Sequence, residues 1–225
     1  MCNEVRHRPV VVWGSAGTGR IVIDLVRRLG GHIVGVVDSA PNCGQRVADV
    51  PVLGTPGALP EWLANDGAPK GETVYGVVAF AGHQGHERLQ AQKDFEAWGI
   101  RVSSCVDDRA NLLGDVEIGS GCLLFAGSVV GPGVKLGQAV IVNQGASIGH
   151  DSTLGPGTHV ANGAVVAGYV TVGENVLLGA GSVILPGVSI ADDCVVGAGS
   201  VVTKSVDSGM TVVGNPARES RRAKT

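Results

Sequence analysis

The sequence predicts two architectures in tandem, a small Rossmann-like α/β domain over residues 1–105 and a parallel β-helix over residues 106–225. Three observations predict it: an aliphatic residue recurring at every sixth position from 118 to 202, a glycine-rich turn between two apolar runs near the start, and 36 glycines beside only 4% aromatics. So much glycine and so few rings point to a backbone that turns often, not to a core of large side chains.

Cut into sixes from Val116, the chain reads VEIGSG, CLLFAG, SVVGPG, VKLGQA, VIVNQG, ASIGHD, STLGPG, THVANG, AVVAGY, VTVGEN, VLLGAG, SVILPG, VSIADD, CVVGAG and SVVTKS. Every third place is Ile, Leu or Val, and first places are only Val, Ala, Cys, Ser or Thr. A helix spaces apolar groups three and four apart and an ordinary strand two apart, so a strict period of six belongs to a hexapeptide solenoid. Three hexads make one triangular coil, so these fifteen predict five coils. Residues eighteen apart then stack about 4.8 Å apart, the spacing of neighbouring strands. Flat outer faces and open coil ends need covering, which favours oligomerisation.

The first hundred residues follow another rhythm. A strand over 10–13 runs into Gly14-Ser15-Ala16-Gly17-Thr18-Gly19, then a helical pattern over 20–29 and a second strand over 32–37 ending at Asp38. This is a βαβ unit. A strand over 74–80, a helix over 84–98 and a strand over 100–103 complete the domain. Glycines in the first turn let a phosphate approach backbone N–H groups at a helix N-terminus, and an acid some twenty residues on can bond a ribose hydroxyl. The spacing GxxGxG departs from the dinucleotide fingerprint GxGxxG. The turn therefore reads as a mononucleotide or nucleotide-sugar site, as a purely structural turn, or least of all as an NAD site.

With 17 basic and 20 acidic side chains, a net charge of -3 excludes a nucleic-acid binder driven by bulk positive charge. No apolar run approaches the length of a membrane span, and that over 10–13 is too short for a signal-peptide core, so a soluble, cytoplasmic protein is expected. Cys2, Cys43, Cys105, Cys122 and Cys194 form no CxxC pair and leave one over, so they read as free thiols, not a zinc knuckle or a disulfide framework. Cys122 and Cys194, four coils apart, would stand roughly 19 Å apart along the axis.

Together the two halves resemble bacterial nucleotide-sugar N-acetyltransferases, which acetylate a 4-amino group, typically of UDP-linked amino-deoxy sugars, and have sialic acid O-acetyltransferases as relatives. The resemblance covers nearly the whole chain. It rests on the glycine turn with Asp38, on Val142-Asn143 leading to Gly149-His150-Asp151, on His159, on Ala167-Gly168-Tyr169-Val170, and on Gly214-Asn215-Pro216-Ala217-Arg218. It implies a left-handed β-helix, a homotrimer, acetyl-CoA as co-substrate and no metal. It further implies nucleotide-sugar contacts at Gly14, Ala16, Gly17, Thr18, Gly19, Asp38 and Asn143, and acetyl-CoA contacts at His159, Ala167, Gly168, Ala180, Gly214, Pro216 and Arg218.

The residues themselves support acyl transfer. Moving acetyl from a thioester to an amine needs a base for the amine proton and a donor for the oxyanion. His150 is the candidate base, since imidazole titrates near neutrality and Asp151 can hold its other nitrogen. Gly168, eighteen residues on, stacks over His150, where its N–H can serve as the donor. Thr18 stands where the family commonly has histidine, and Gly82-His83-Gln84 where it commonly has Gly-Asn, so a GDP- or dTDP-linked sugar is open beside UDP. A zinc site like that of β-helix carbonic anhydrases is not expected, because His150 and His159 lie nine apart. Two other readings are an O-acetyltransferase acting on sialic acid and a non-catalytic nucleotide-binding trimer.

Overall fold

The computed structural model describes residues 3–39, 46–65, 67–69 and 71–220; Cys2 and Cys43 lie outside them. The chain divides into two compact units, one comprising Met1–Ala81 and Glu87–Cys105, the other Gly82–His86 and Val106–Thr225.

In the first unit β1 (Pro9–Trp13), α1 (Gly17–Arg28) and β2 (His32–Val37) form the expected βαβ element. The hairpin β3 (Arg46–Val47) and β4 (Val50–Gly54) and the short helix α2 (Leu59–Ala64) follow, then β5 (Tyr75–Val78), α3 (Gly85–Ala97), whose first two residues fall in the second unit, and β6 (Arg101–Val102). The sheet order is β3-β4-β2-β1-β5-β6, parallel except for the hairpin. β3, β4 and α2 escape the sequence reading because Pro51 and Pro60 interrupt the short apolar patterns there. β1 is buried along Pro9, Val10, Val11 and Val12, as a strand flanked by parallel neighbours should be. Val22, Ile23, Leu25 and Val26 give α1 a buried face.

The second unit is a parallel β-helix of two-residue strands stacked eighteen residues apart. Leu123–Leu124 pairs with Ile141–Val142, Val129–Val130 with Ser147–Ile148, and Lys135–Leu136 with Thr153–Leu154, one pair for each of three sheets. Third-place side chains from Leu124 to Val202 are buried and fill the prism with aliphatic columns such as Val130, Ile148, Val166, Ile184 and Val202. Each contributes about 1.5–3 kcal/mol by leaving water. Cys105, Cys122 and Cys194 are buried thiols outside any disulfide, and burial pushes the Cys194 thiol above its ordinary value.

The coils begin two strands earlier than the glycine pattern indicates, since Cys105–Val106 and Asn111–Leu112 already continue two of the sheets. Val106 and Leu112 keep the period of six. The corner between them carries no glycine, because buried Asp107 turns the chain by accepting the Arg109 N–H at 2.9 Å and its Nε at 3.0 Å. At the far end Thr211–Val213 stacks on Val195–Val196 with a spacing of sixteen, and Arg218–Glu219 folds back antiparallel on it.

Candidate active site

The sheets meet at three corners, and the chemistry-bearing residues gather at one. The turn that joins Ser147–Ile148 to Thr153–Leu154 carries Gly149, His150 and Asp151; one coil later the same corner carries Ala167, Gly168 and Tyr169. Backbone bonds bind the layers, with Asp151 N–H donating to Pro132 O at 3.0 Å and Tyr169 N–H to His150 O at 3.0 Å. From inside, buried Ser152 donates its hydroxyl to Ala167 O at 3.0 Å and accepts the Val170 N–H at 3.1 Å. This serine occupies a first place of the hexad, where sequence reads only a small core residue.

His150 Nδ1 stands 2.8 Å from Asp151 Oδ2. A carboxylate only accepts, so Nδ1 carries the proton and Nε2 keeps its lone pair. Asp151 adopts φ +55°, which aims its side chain back at the ring of the preceding residue. The imidazole lies over Gly168, where a Cβ would fall 2.7 Å from Nε2, so only glycine leaves room for the ring. The Tyr169 ring meets it edge to face, centroids 4.9 Å apart and planes at 87°.

Backbone N–H groups at the fifth place of a hexad point out of the ladder. Asn143 Oδ1 accepts that of Gln144 at 3.2 Å and Asp192 Oδ1 that of Glu174 at 2.7 Å. The Gly168 N–H has no acceptor among the described residues. A basic nitrogen and an unclaimed donor thus stand at one half-exposed corner, the two functions an acyl transfer requires. Small residues there, Ala167 and Gly168, leave a thioester room to approach.

The other expected site residues lie elsewhere. Asn143 and Ala180 occupy the preceding corner, where Asn162 Nδ2 donates to Gln144 Oε1 at 2.7 Å. His159 is 5% exposed; Nδ1 accepts the Gly82 N–H at 3.0 Å and Nε2 faces the Asn143 amide at 3.2 Å, which leaves little of the ring for a coenzyme. Gly214 donates its N–H to Ser200 Oγ at 3.0 Å, and exposed Pro216 follows it. Arg218 donates to Ala217 O at 2.8 Å beside a cavity of about 300 Å³ that Lys204, Asp207 and Glu219 also line.

In the first unit Asp38 Oδ2 accepts both the Ser15 N–H, at 2.6 Å, and the Ser15 hydroxyl. The acid read as a ribose partner therefore also fastens the glycine turn, a bond that the identity of Ser15 alone did not advertise. A Cβ on Gly19 would strike Gly14 O at 2.0 Å, so this glycine serves the close packing of turn on helix. Gly17 differs: a Cβ there would meet nothing within 4 Å, and its φ is ordinary. Nothing among the described residues requires it to be glycine, and the space beside it is open to a ligand. Ala16 offers no side-chain cap to α1 and no acid sits in the first turn, so neither competes for the helix's N–H groups beside Thr18.

No helix among the described residues is long and apolar enough to cross a membrane, and no three His, Cys, Asp or Glu side chains among them gather in metal-holding geometry.

Comparison with known proteins agrees with this fold. A hexapeptide repeat of succinyl-transferase matches residues 115–150 and 169–204. PerB from Caulobacter crescentus, solved with CoA and GDP-perosamine, is 29% identical over 94% of this chain and 97% of its own, with a TM-score of 0.85. The acetyltransferase domain of PglB from Neisseria gonorrhoeae, solved with acetyl coenzyme A, is 28% identical over 95% of this chain and 99% of its own, with a TM-score of 0.82. WeeI from Acinetobacter baumannii is 27% identical over 95% and 100%, at 0.82. No curated protein sequence matches. By repeat, by left-handed β-helix and by likeness along the whole chain, this protein is similar to hexapeptide-repeat acyltransferases, nucleotide-sugar N-acetyltransferases among them.

Proposed function

We propose that this protein transfers acetyl from acetyl-CoA to the 4-amino group of a nucleotide-linked amino-deoxy sugar. The carrying observation is the His150 imidazole, fixed by Asp151 with Nε2 over Gly168, beside a backbone N–H that no described residue accepts. The amine nitrogen attacks the thioester carbonyl carbon as His150 Nε2 takes its proton. The Gly168 N–H steadies the oxyanion. Collapse breaks the C–S bond, and the imidazolium returns the proton to the coenzyme sulfur. One N–C bond forms, one C–S bond breaks, and no acyl-enzyme is required; Cys122 and Cys194 are buried and take no part.

The nucleotide would sit at Gly14, Ala16, Gly17, Thr18 and Gly19 of the first unit, with phosphate oxygens at the uncapped N-terminus of α1 and Asp38 at the ribose. PerB, itself solved with a GDP-linked amino sugar, supports that class. Acetyl-CoA would pass Ala167 and Gly168, with Ala180 and the segment at Gly214, Pro216 and Arg218 along its length, while buried His159 stands back from it.

Those residues fall at different corners of one chain, which supports a homotrimer. A three-fold arrangement can set the His150 corner of one copy against the Asn143 and Ala180 corner of the next. The face between the two corners presents Val129, Ser147, Val165, Val183 and Val201 outward, a mostly apolar column suited to burial, with Val165 40% exposed. We place the reaction in the cytoplasm, where acetyl-CoA is available.

The test is thiol release from acetyl-CoA with GDP-, UDP- and dTDP-linked 4-amino-4,6-dideoxyhexoses, and with sialic acid. One nucleotide sugar should liberate free CoA with one acetamide formed per thiol. Release only with sialic acid would make the protein an O-acetyltransferase, and release with none would leave a nucleotide-binding module.

A further inference from the structure

Tyr169 sits where a large side chain has no local reason to be. It takes the sixth place of its hexad with φ +58°, in the left-handed region that L residues enter at a cost and bulky ones rarely. The other described non-glycine residues in this backbone state within the coils are Ala139, Asp151, Asn175 and Asp193, all small or short and polar. Nor does burial compensate, for Tyr169 is 64% exposed. A strained backbone that carries an exposed ring is expected where the ring has a task at a functional site.

What the ring touches is the imidazole of His150. The centroid separation of 4.9 Å and the perpendicular planes are a favourable edge-to-face geometry. Asp151 anchors one point of the imidazole, Nδ1, and the ring rests where a Cβ on Gly168 would otherwise stand. A half-exposed ring hydrogen-bonded at a single atom keeps rotation about that bond as a freedom that a second contact would restrict. Tyr169 stands one coil above Asp151 in the same column and supplies a second support.

We infer that Tyr169 is a positioning residue: its ring confines the His150 imidazole so that Nε2 stays over Gly168, beside the free N–H. This rests on the reading of His150 as the base. Tyr169→Gly removes the ring and leaves a backbone that glycine adopts freely; Tyr169→Asn places a residue of the kind that position 175 already carries at φ +52°. Tyr169→Phe keeps the ring and removes the hydroxyl.

Two measurements decide it. The first is carbethoxylation of His150 by diethyl pyrocarbonate, followed by peptide mass, which needs no turnover. Tyr169→Gly and Tyr169→Asn should raise its rate several-fold, and Tyr169→Phe should match the parent. The second is steady-state kinetics with acetyl-CoA and a GDP-, UDP- or dTDP-linked 4-amino-4,6-dideoxyhexose. Here the Gly and Asn variants should lose about tenfold in kcat, with KM for acetyl-CoA within about twofold, while Phe restores turnover. A thermal midpoint no lower than the parent's in Tyr169→Gly shows that the loss is not one of folding, and the Asn variant serves if that midpoint falls. Unchanged labelling and kcat in both variants overturns the inference. So does a loss confined to KM, which would make Tyr169 a substrate contact, or a Phe variant as impaired as Gly, which would assign the role to the hydroxyl. Full turnover in His150→Ala would instead overturn the reading of the base, and the labelling result would still report on the ring.

Discussion

Two histidines of the coil unit stand beside carboxylates at corners of similar backbone, yet only one is equipped for chemistry. His150 gives Nδ1 to Asp151 at 2.8 Å and holds Nε2 over a glycine with a free N–H. His86 presents Nε2 to Asp193 at 2.9 Å and Nδ1 to Glu174 at 3.3 Å, so both edges of its ring already face acids. Around it Asn175 takes the Gly85 N–H at 2.7 Å and donates to Asp193 at 2.8 Å. A histidine-acid pair is therefore poor evidence of catalysis by itself. The unoccupied second nitrogen and the adjacent unclaimed donor make the difference.

The comparison breaks most directly on turnover. His150→Ala should lower kcat by about 10²–10⁴-fold with coenzyme KM nearly intact, while His86→Ala stays within about twofold. Equal losses in steady-state assays of the two variants would mean that the corners are not functionally distinct. Gly168→Ala comes next. Its backbone tolerates alanine, but the new Cβ would lie 2.7 Å from Nε2 and must expel the ring. A fall of roughly 10- to 100-fold is expected, with little change in the thermal midpoint. In the double variant His150→Ala, Gly168→Ala the second substitution should add far less than it does alone, because the ring it displaces is gone. Full additivity would detach Gly168 from the imidazole.

Much of this contrast was written in the chain. The period of six places the core column, and the interval of eighteen by itself puts Gly168 over His150. The two strands ahead of Val116 stayed hidden because Asp107 turns the chain there with its carboxylate, and a pattern built on turn glycines passes over an aspartate. The burial of His159 was equally out of reach, since it depends on Gly82, 77 residues away in sequence. Tyr169 could be located at the corner by counting, but its left-handed φ and its ring contact are properties of packing. Ser15 was legible as part of a glycine turn and illegible as the partner of Asp38, because a hydrogen bond across 23 residues leaves no period behind.

A smaller effect sharpens the catalytic corner. In Asp151→Asn the left-handed backbone is kept, since asparagine tolerates it, but the acceptor that holds the proton on Nδ1 is weakened. Because both side chains are about half exposed, 52% and 50%, water can substitute in part. The expected loss in kcat is about tenfold, less than for His150→Ala. A loss as large as that of His150→Ala would make Asp151 indispensable and not merely supportive.

The smallest effect belongs to the other corner and appears in stability, not rate. The amide of Asn175, and after it the ring of His86, hold the Asp193 carboxyl below the usual carboxylate range. A carboxyl whose folded pKa is depressed contributes stability that is fully present above its unfolded value, near 3.9, and is lost as pH falls through the folded value. Asp193→Asn removes that contribution. The variant should therefore melt about 1–3 °C below the parent near pH 7, a modest shift because the pair is half exposed. The two melting curves should converge as the pH drops below about 4, and kcat should stay within about twofold throughout. A gap that persisted in acid would show that Asn175 and His86 hold position 193 by geometry and not by charge, whereas a fall in kcat at neutral pH would tie this corner to the reaction and erase the distinction between the two histidines.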